Sequence, residues 1–184
     1  TFYFLDELKR KNKSLKFTLL TSDDPAIRKF SFNDHDIYPI IKKWDGPEIL
    51  PIIRLVNNQK PENILIQYVP TMYGRAGINF FFPWLLLFLR VFYKHKIILM
   101  AHELHYPFEK NLKSGFIFFW HIWNLFLLSL ASSSVLTTTE NFTRILKKFP
   151  FNSKKVHQLV VGSNIPREKI INDINPLSNN KFFK

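Results

Sequence analysis

Lys96-Ile97-Ile98-Leu99-Met100-Ala101 decides the fold class, because it is an unbroken apolar run that ends at the polar residues His102 and Glu103. A strand that is buried on both faces has a continuous hydrophobic sequence, and such strands occur in parallel sheets that are covered by helices. A strand with one face in water would alternate apolar and polar residues instead. The run therefore predicts a central parallel strand with polar groups at its carboxyl end.

Similar strands and apolar helices alternate on either side of this run. The patterns predict strands at residues 16–20, 63–69, 134–138 and 156–161, and helices near 49–56, 78–94, 115–131 and 140–148. Residues 26–46 are predicted to be irregular, with a short strand near 30–32. The alternation predicts an α/β fold, a Rossmann-like parallel sheet with helices on both faces. Right-handed crossovers bring the loops after the strands to one edge, where open α/β sheets bind ligands.

Composition and charge exclude several classes of protein. The 184 residues are 46% hydrophobic and include 20 Phe, which excludes a disordered chain and predicts an aromatic-rich core. Cysteine is absent, so no disulfide framework and no thiolate metal site can form. The net charge of +12 indicates either an anionic partner or a solvated basic surface. The basic residues are dispersed without a nucleic-acid-binding motif, so nucleic acid is not an expected partner.

The loop after the strand at 63–69 contains Tyr73 and Gly74. Glycine allows a backbone to approach a ligand closely, and tyrosine offers a flat ring and a hydroxyl group. Both residues are therefore candidates for substrate binding. An ordinary strand-to-helix turn explains the same glycine and stays an alternative.

The loop after the central strand contains His102, Glu103 and His105. The histidines are three residues apart, whereas a helical zinc-protease motif needs a spacing of four, so no metal site is predicted. Imidazoles at a strand end can donate hydrogen bonds and stabilise developing negative charge. His102 is thus the catalytic candidate and the other two are substrate-binding candidates, unless His102 only ends the strand.

Two further loops complete the predicted edge. Glu140 follows three threonines, of which Thr138 or Thr139 is expected to cap the next helix, and Glu140 is a candidate contact for an acceptor hydroxyl. Gly162, Ser163 and Asn164 follow the last strand and are candidates for substrate binding. Capping alone explains the first motif, and a plain turn explains the second equally well.

The order of three of these motifs resembles a known enzyme family. Residues 97–103, 134–140 and 161–165 together resemble the N-terminal domain of GT4-type retaining glycosyltransferases, which have the GT-B fold. The resemblance implies that residues 1–166 form the Rossmann-like acceptor-side domain, with its first strand missing. Residues 167–184 would be a linker or the start of an absent donor domain. The family has Asn before Gly in its closing segment, whereas Asn164 follows Gly162 here.

The resemblance also implies a reaction. The enzyme would move a hexose-like sugar from a nucleotide-sugar donor to a glycan or a lipid-linked acceptor, with no cofactor and no metal. His102 matches the family's histidine that contacts the donor sugar or its phosphates. The chain alone is expected to be inactive, because the family's donor-binding half carries other catalytic groups. A non-catalytic α/β module that binds a membrane or partner surface is the alternative.

Two apolar helices bear on localisation. A membrane-spanning helix needs about 20 apolar residues, whereas the run at 116–131 is shorter and contains His121, Asn124 and Ser129. A buried core helix, an interfacial helix and a spanning helix all stay open, in that order of preference. We expect a cytoplasmic protein, and the interfacial case would attach it peripherally to the anionic inner face of the cytoplasmic membrane.

Overall fold

The computed structural model describes residues 8–23, 36–44, 46, 49–104, 111–150 and 152–159. The chain divides into two compact units, one made of residues 1–16 and 160–184 and the other of Phe17–Leu159. In the first unit, residues 8–11 are helical, and Asn12 accepts hydrogen bonds from the backbone and hydroxyl of Ser14 at 3.1 and 2.7 Å. The second unit contains the sheets and helices that follow.

A four-stranded parallel sheet organises the second unit. Its strands pair in chain order, and they are β3 (Asn63–Tyr68), β4 (Lys96–Ala101), β5 (Ser134–Thr137) and β6 (Val156–Gln158). The apolar run that opened the sequence analysis is β4, and it lies inside the sheet between β3 and β5. The helices flank this sheet, so the predicted Rossmann-like α/β class is confirmed.

Within the described residues of this unit, four α-helices accompany the strands, and side-chain caps begin two of them. They are α1 (Leu50–Gln59), α2 (Phe81–Phe92), α3 (Leu112–Ala131) and α4 (Glu140–Lys147). Asn111 begins α3 by accepting a hydrogen bond from the backbone of Ser114 at 2.8 Å, so the helix starts three residues before the predicted position. Pro51 lies in the first turn of α1, where the N–H group that proline lacks would have no partner within the helix.

A second, two-stranded parallel sheet corrects the prediction for residues 26–46. These are the strands β1 (Thr18–Ser22) and β2 (Asp36–Ile41). They pair regularly from Thr18 with Asp36 to Thr21 with Pro39, and the register shifts by one residue before Ser22. Residues 36–41, which were predicted to be irregular, therefore form a strand that contains Pro39. Each strand of a two-stranded sheet is an edge strand. Proline is tolerated in an edge strand, because the N–H group that it lacks need not donate to a neighbouring strand. The strand predicted near 30–32 lies outside the described residues.

The hydrophobic core lies mainly against one face of the four-stranded sheet. Strand side chains alternate between faces, and Ile97, Leu99 and Ala101 all point into this core with exposed fractions of 0%. Few aromatic rings join them, so the predicted aromatic-rich core is wrong for the described residues. The large exposed side chains on α2 and α3 are mostly aromatic instead.

One described helix, α3, is long and apolar enough to cross a membrane by length and composition alone. Of its most apolar 18-residue window, 44% is buried inside the protein, and the core helix of a soluble protein satisfies the same criteria.

A buried histidine of α3 fixes the loop between β3 and α2. The His121 side chain is fully buried, and its Nε2 lies 2.8 Å from the carbonyl oxygen of Ala76. Gly77 follows with a φ of +73°, and a Cβ added there would overlap the His121 ring. Both the backbone angle and the close approach therefore require glycine at this position.

We expect Gly77→Ala to destabilise the protein more than Gly46→Ala. Both glycines have positive φ, at +73° and +82°, so alanine at either costs about 1–2 kcal/mol in backbone strain. A Cβ at Gly46 meets nothing within 4 Å, whereas at Gly77 it displaces His121 from Ala76. The free energy of unfolding in urea should fall by at least about 1 kcal/mol more for Gly77→Ala. Equal losses would show that the His121 contact is not required.

Candidate functional site

The carboxyl ends of the four parallel strands meet in one row. Tyr68 pairs with Ala101, Ala101 with Thr137, and Thr137 with Gln158. The loops that follow β3, β4 and β5 therefore open at one edge, as the crossover rule predicted. The fourth predicted loop, at residues 162–164, lies outside the described residues.

His102 is the first residue beyond β4 and is held on two sides. Its backbone N–H donates to the carbonyl oxygen of Tyr68 at 3.0 Å, which extends the β3–β4 ladder by one residue. Its Nε2 lies 3.0 Å from Oε1 of Gln67, on the neighbouring strand. With the oxygen of Gln67 facing Nε2, that nitrogen carries the proton, and Nδ1 keeps a lone pair in the neutral ring.

The protonation of His102 follows from its surroundings. The imidazole is half-buried, and this burial lowers its pKa because the charged form loses hydration. The exposed carboxylate of Glu103 acts in the opposite direction and raises the pKa less than burial lowers it. His102 is therefore neutral at pH 7, and an anion that approaches it would favour its protonation.

Gln67 is a site residue that the sequence analysis missed. Its side chain contacts His102, and its backbone carbonyl accepts a hydrogen bond from the Tyr73 hydroxyl at 2.5 Å. The available signal was a single polar side chain inside the apolar strand Asn63–Tyr68. A polar side chain that interrupts an apolar run needs a hydrogen-bond partner, and its position near the carboxyl end of the strand indicates a partner at the sheet edge.

Tyr73 lies in the core rather than at an open edge. Its ring stacks on Phe82 with centroids 4.4 Å apart, and it stacks on Tyr68 at 5.9 Å. Burial raises the pKa of the Tyr73 phenol far above its usual range, so the hydroxyl stays protonated and donates to Gln67. Its ring and hydroxyl are both engaged inside the protein, and a substrate contact for Tyr73 stays a prediction.

Gly74 is explained by the shape of its own loop. A Cβ at this position would overlap the backbone carbonyl of Ile78. Asn79 holds the same loop: its side-chain nitrogen donates to the carbonyl oxygens of Tyr73 and of Trp44, the latter at 2.8 Å. Its Oδ1 accepts from the backbone of Phe82 at 2.9 Å, at the start of α2. The turn interpretation therefore accounts for this glycine, and ligand contact is untested.

The threonine-rich loop after β5 caps α4 as expected. Thr139 accepts from the backbone of Phe142 at 3.2 Å, and Thr143 donates to the Thr139 carbonyl at 2.9 Å. Glu140 is exposed in the first turn and pairs with Arg144 at 3.1 Å. An exposed pair of this kind contributes little to stability, so the pair does not prevent Glu140 from contacting a substrate.

Several predicted site residues lie outside the described part of the chain, namely His105, Gly162, Ser163 and Asn164. Within the described ranges, no group of three or more His, Asp or Glu side chains is arranged to hold a metal ion. His102, Gln67 and Glu103 are therefore the polar groups that the described structure brings to the end of β3 and β4.

The chain was also compared with known proteins. No family model matches it, and no curated protein matches it.

We expect the His102 imidazole to titrate below its ordinary value of 6.5. The folded protein then binds this proton less readily than the unfolded chain does, so stability is lost as the pH falls below about 6.5. Urea unfolding at pH 7.5 and pH 5 should show a smaller loss for His102→Gln than for the wild type. Titration by NMR should give the midpoint directly, and a midpoint above 6.5 would contradict the burial argument.

Proposed function

We propose that this chain is the acceptor-side half of a two-domain retaining glycosyltransferase that uses a nucleotide sugar. The observation that carries the proposal is the half-buried His102, which Gln67 holds at the carboxyl edge of a parallel sheet. Open α/β sheets bind ligands at this edge. The resemblance of residues 97–103 and 134–140 to the GT-B family supports the same role.

In this proposal His102 responds to the departing diphosphate. The bond between the sugar carbon and the diphosphate breaks while the acceptor hydroxyl oxygen bonds to the same carbon, and the hydroxyl proton passes to an oxygen of the departing diphosphate. The negative charge that grows on the diphosphate favours protonation of His102. A protonated ring then donates to phosphate oxygens and stabilises their charge. Gln67 keeps the ring in one orientation, so little reorganisation is needed during the reaction.

The acceptor and the cellular location follow from the same proposal. Glu140 begins α4 at the sheet edge and is exposed, which suits a contact with an acceptor hydroxyl. We propose that the acceptor is a glycan or a lipid-linked molecule, and that the enzyme acts in the cytoplasm at the inner face of the membrane. The net charge of +12 supports an anionic surface as a partner.

A non-catalytic binding module is the second candidate. The observation in its favour is that all five exposed positions of α2 are apolar, which marks an interaction surface rather than a reaction site. The two candidates differ in one outcome: a binding module catalyses no sugar transfer even when joined to any neighbouring domain.

We expect the 184-residue chain alone to release no nucleotide from UDP-, GDP- or TDP-sugars. The proposal assigns the donor-binding groups to another domain, so this chain lacks part of the reaction centre. The measurement is nucleotide release with and without a glycan acceptor. Acceptor-dependent release by this chain alone would contradict the division of roles between the domains.

We expect His102→Ala to lower kcat by about 10²-fold or more in an active enzyme that contains this domain, as when one charge-stabilising donor is removed. His105→Ala should have a smaller effect, because His105 lies further along the loop. His95→Ala is the matched control, since His95 lies before β4 at the opposite edge of the sheet. Wild-type turnover in a folded His102→Ala variant would remove this loop from the reaction site.

A further inference from the structure

The outer surface of α2 is apolar wherever it is exposed. Its five exposed positions are Phe81, Trp84, Phe88, Val91 and Phe92. A helix on the surface of a soluble protein normally places charged and polar residues on the side that faces water. The α2 sequence does the opposite, since its one charged residue, Arg90, is half-buried and donates to the backbone of His95 at 3.2 Å.

The helix α3 buries its polar residues together with Leu125, Leu127 and Leu128, and its outward side is also mostly apolar. Ser114, His121, Asn124 and Ser129 are all buried. The exposed positions are Leu112, Lys113, Phe116, Phe119, Trp123 and Leu130, and Lys113 is the only polar residue among them. A helix on the surface of a soluble protein normally has polar residues on its outward side, so the apolar outward side of α3 is suited to an apolar environment.

The two exposed sides form one surface. Phe80, next to the start of α2, lies 4.2 Å from the ring of Trp120 on α3, measured between centroids. Trp120 in turn stacks with Phe116 at 6.2 Å. We call the combined surface the aromatic face, and its members are Phe80, Phe81, Trp84, Phe88, Val91, Phe92, Phe116, Phe119, Trp120 and Trp123.

We propose that the aromatic face docks into the interface of an anionic lipid bilayer. Trp, Tyr and Phe are suited to the boundary between headgroups and acyl chains, where a helix can lie with its apolar side buried. The charge of the surrounding chain matches such a surface: α2, α3 and the whole stretch 63–101 contain no Asp or Glu. Exposed Lys94 and Lys96 follow α2, and exposed Lys113 begins α3.

Two other occupants fit this surface less well. A second copy would bring together two chains that each carry a net charge of +12, and these would repel one another. A spanning arrangement would take α3 away from the sheet, although its buried polar side is engaged there, with His121 bonded to Ala76. A helix that lies in the interface keeps that polar side inside the protein and places only the aromatic side in lipid.

The aromatic face reaches the edge of the sheet that carries His102. Both α2 and α3 follow the carboxyl end of a strand, so both helices begin at that edge. Phe80 and Phe116 lie near these helix starts. We infer that docking presents the His102 edge to acceptors whose lipid anchor lies in the same bilayer. This step alone rests on the proposed function.

The test is flotation of the 184-residue chain with lipid vesicles at low salt. We expect binding to vesicles of equal parts phosphatidylcholine and phosphatidylglycerol, and weaker binding to phosphatidylcholine alone. The double variant Trp84→Ser/Phe119→Ser should bind at least about ten-fold more weakly, because two large apolar side chains no longer enter lipid. Leu50→Ser on α1 is the matched control, since Leu50 is 55% exposed and Trp84 is 57% exposed.

A second measurement does not depend on any variant. Brominated phosphatidylcholine in the anionic vesicles should quench wild-type tryptophan fluorescence, because Trp84 and Trp123 are exposed on the aromatic face. Absence of quenching, or a chain that stays in the soluble fraction with both vesicles, would overturn the proposal. So would equal binding by the double variant and Leu50→Ser, or a dimer that the double variant abolishes without any vesicle binding. None of these measurements involves sugar transfer, so failure of the proposed enzyme activity would be seen separately.

Discussion

The parallel pairing of β3 with β4 is the constraint on which the rest of this structure depends. It aligns Tyr68 with Ala101, and the backbone of His102 then continues the ladder by donating to Tyr68. The same register brings the side chain of Gln67 against the His102 ring. A shift of one residue would move Gln67 to the other face of the sheet and leave His102 without this partner. The position and orientation of the candidate catalytic group are therefore consequences of strand register.

A series of hydrogen bonds also fixes the conformation of the loop between β3 and α2. Tyr73 donates to the carbonyl of Gln67, Asn79 donates to the carbonyl of Tyr73, and His121 holds Ala76 from the side of α3. Buried polar groups are costly when unpaired, so each of these contacts favours one loop conformation over others. The loop begins at the candidate site and ends at α2, where the aromatic face starts. One hydrogen-bonded segment thus connects the two surfaces to which we assign functions.

The two proposals place a reaction edge and a lipid-facing surface on adjacent sides of one sheet. The reaction edge consists of strand ends, which parallel topology gathers together. The lipid-facing surface consists of helix sides, which the same topology places against the sheet. An enzyme that modifies lipid-linked acceptors needs both at once, because the acceptor's reactive group and its anchor arrive together. A binding module needs only the lipid-facing surface, and the contact between Gln67 and His102 would then serve no reaction.

The sequence by itself determined the α/β class, the alternation from Asn63 to Gln158 and the common edge for the loops, because apolar runs and helical periodicity depend on local residue order. It also narrowed the cap of α4 to Thr138 or Thr139, since capping is a local interaction, and Thr139 is the cap in the structure. It did not reveal the strand at 36–41, because pairing with Thr18–Ser22 overrides the effect of Pro39. Only the tertiary structure decided that Gln67 meets His102 and that Tyr73 is internal, since residues far apart in sequence make these contacts. It also decided that His121 and Asn124 of α3 are buried while Trp123 is exposed, because α3 packs against α2 and β4, which come earlier in the chain.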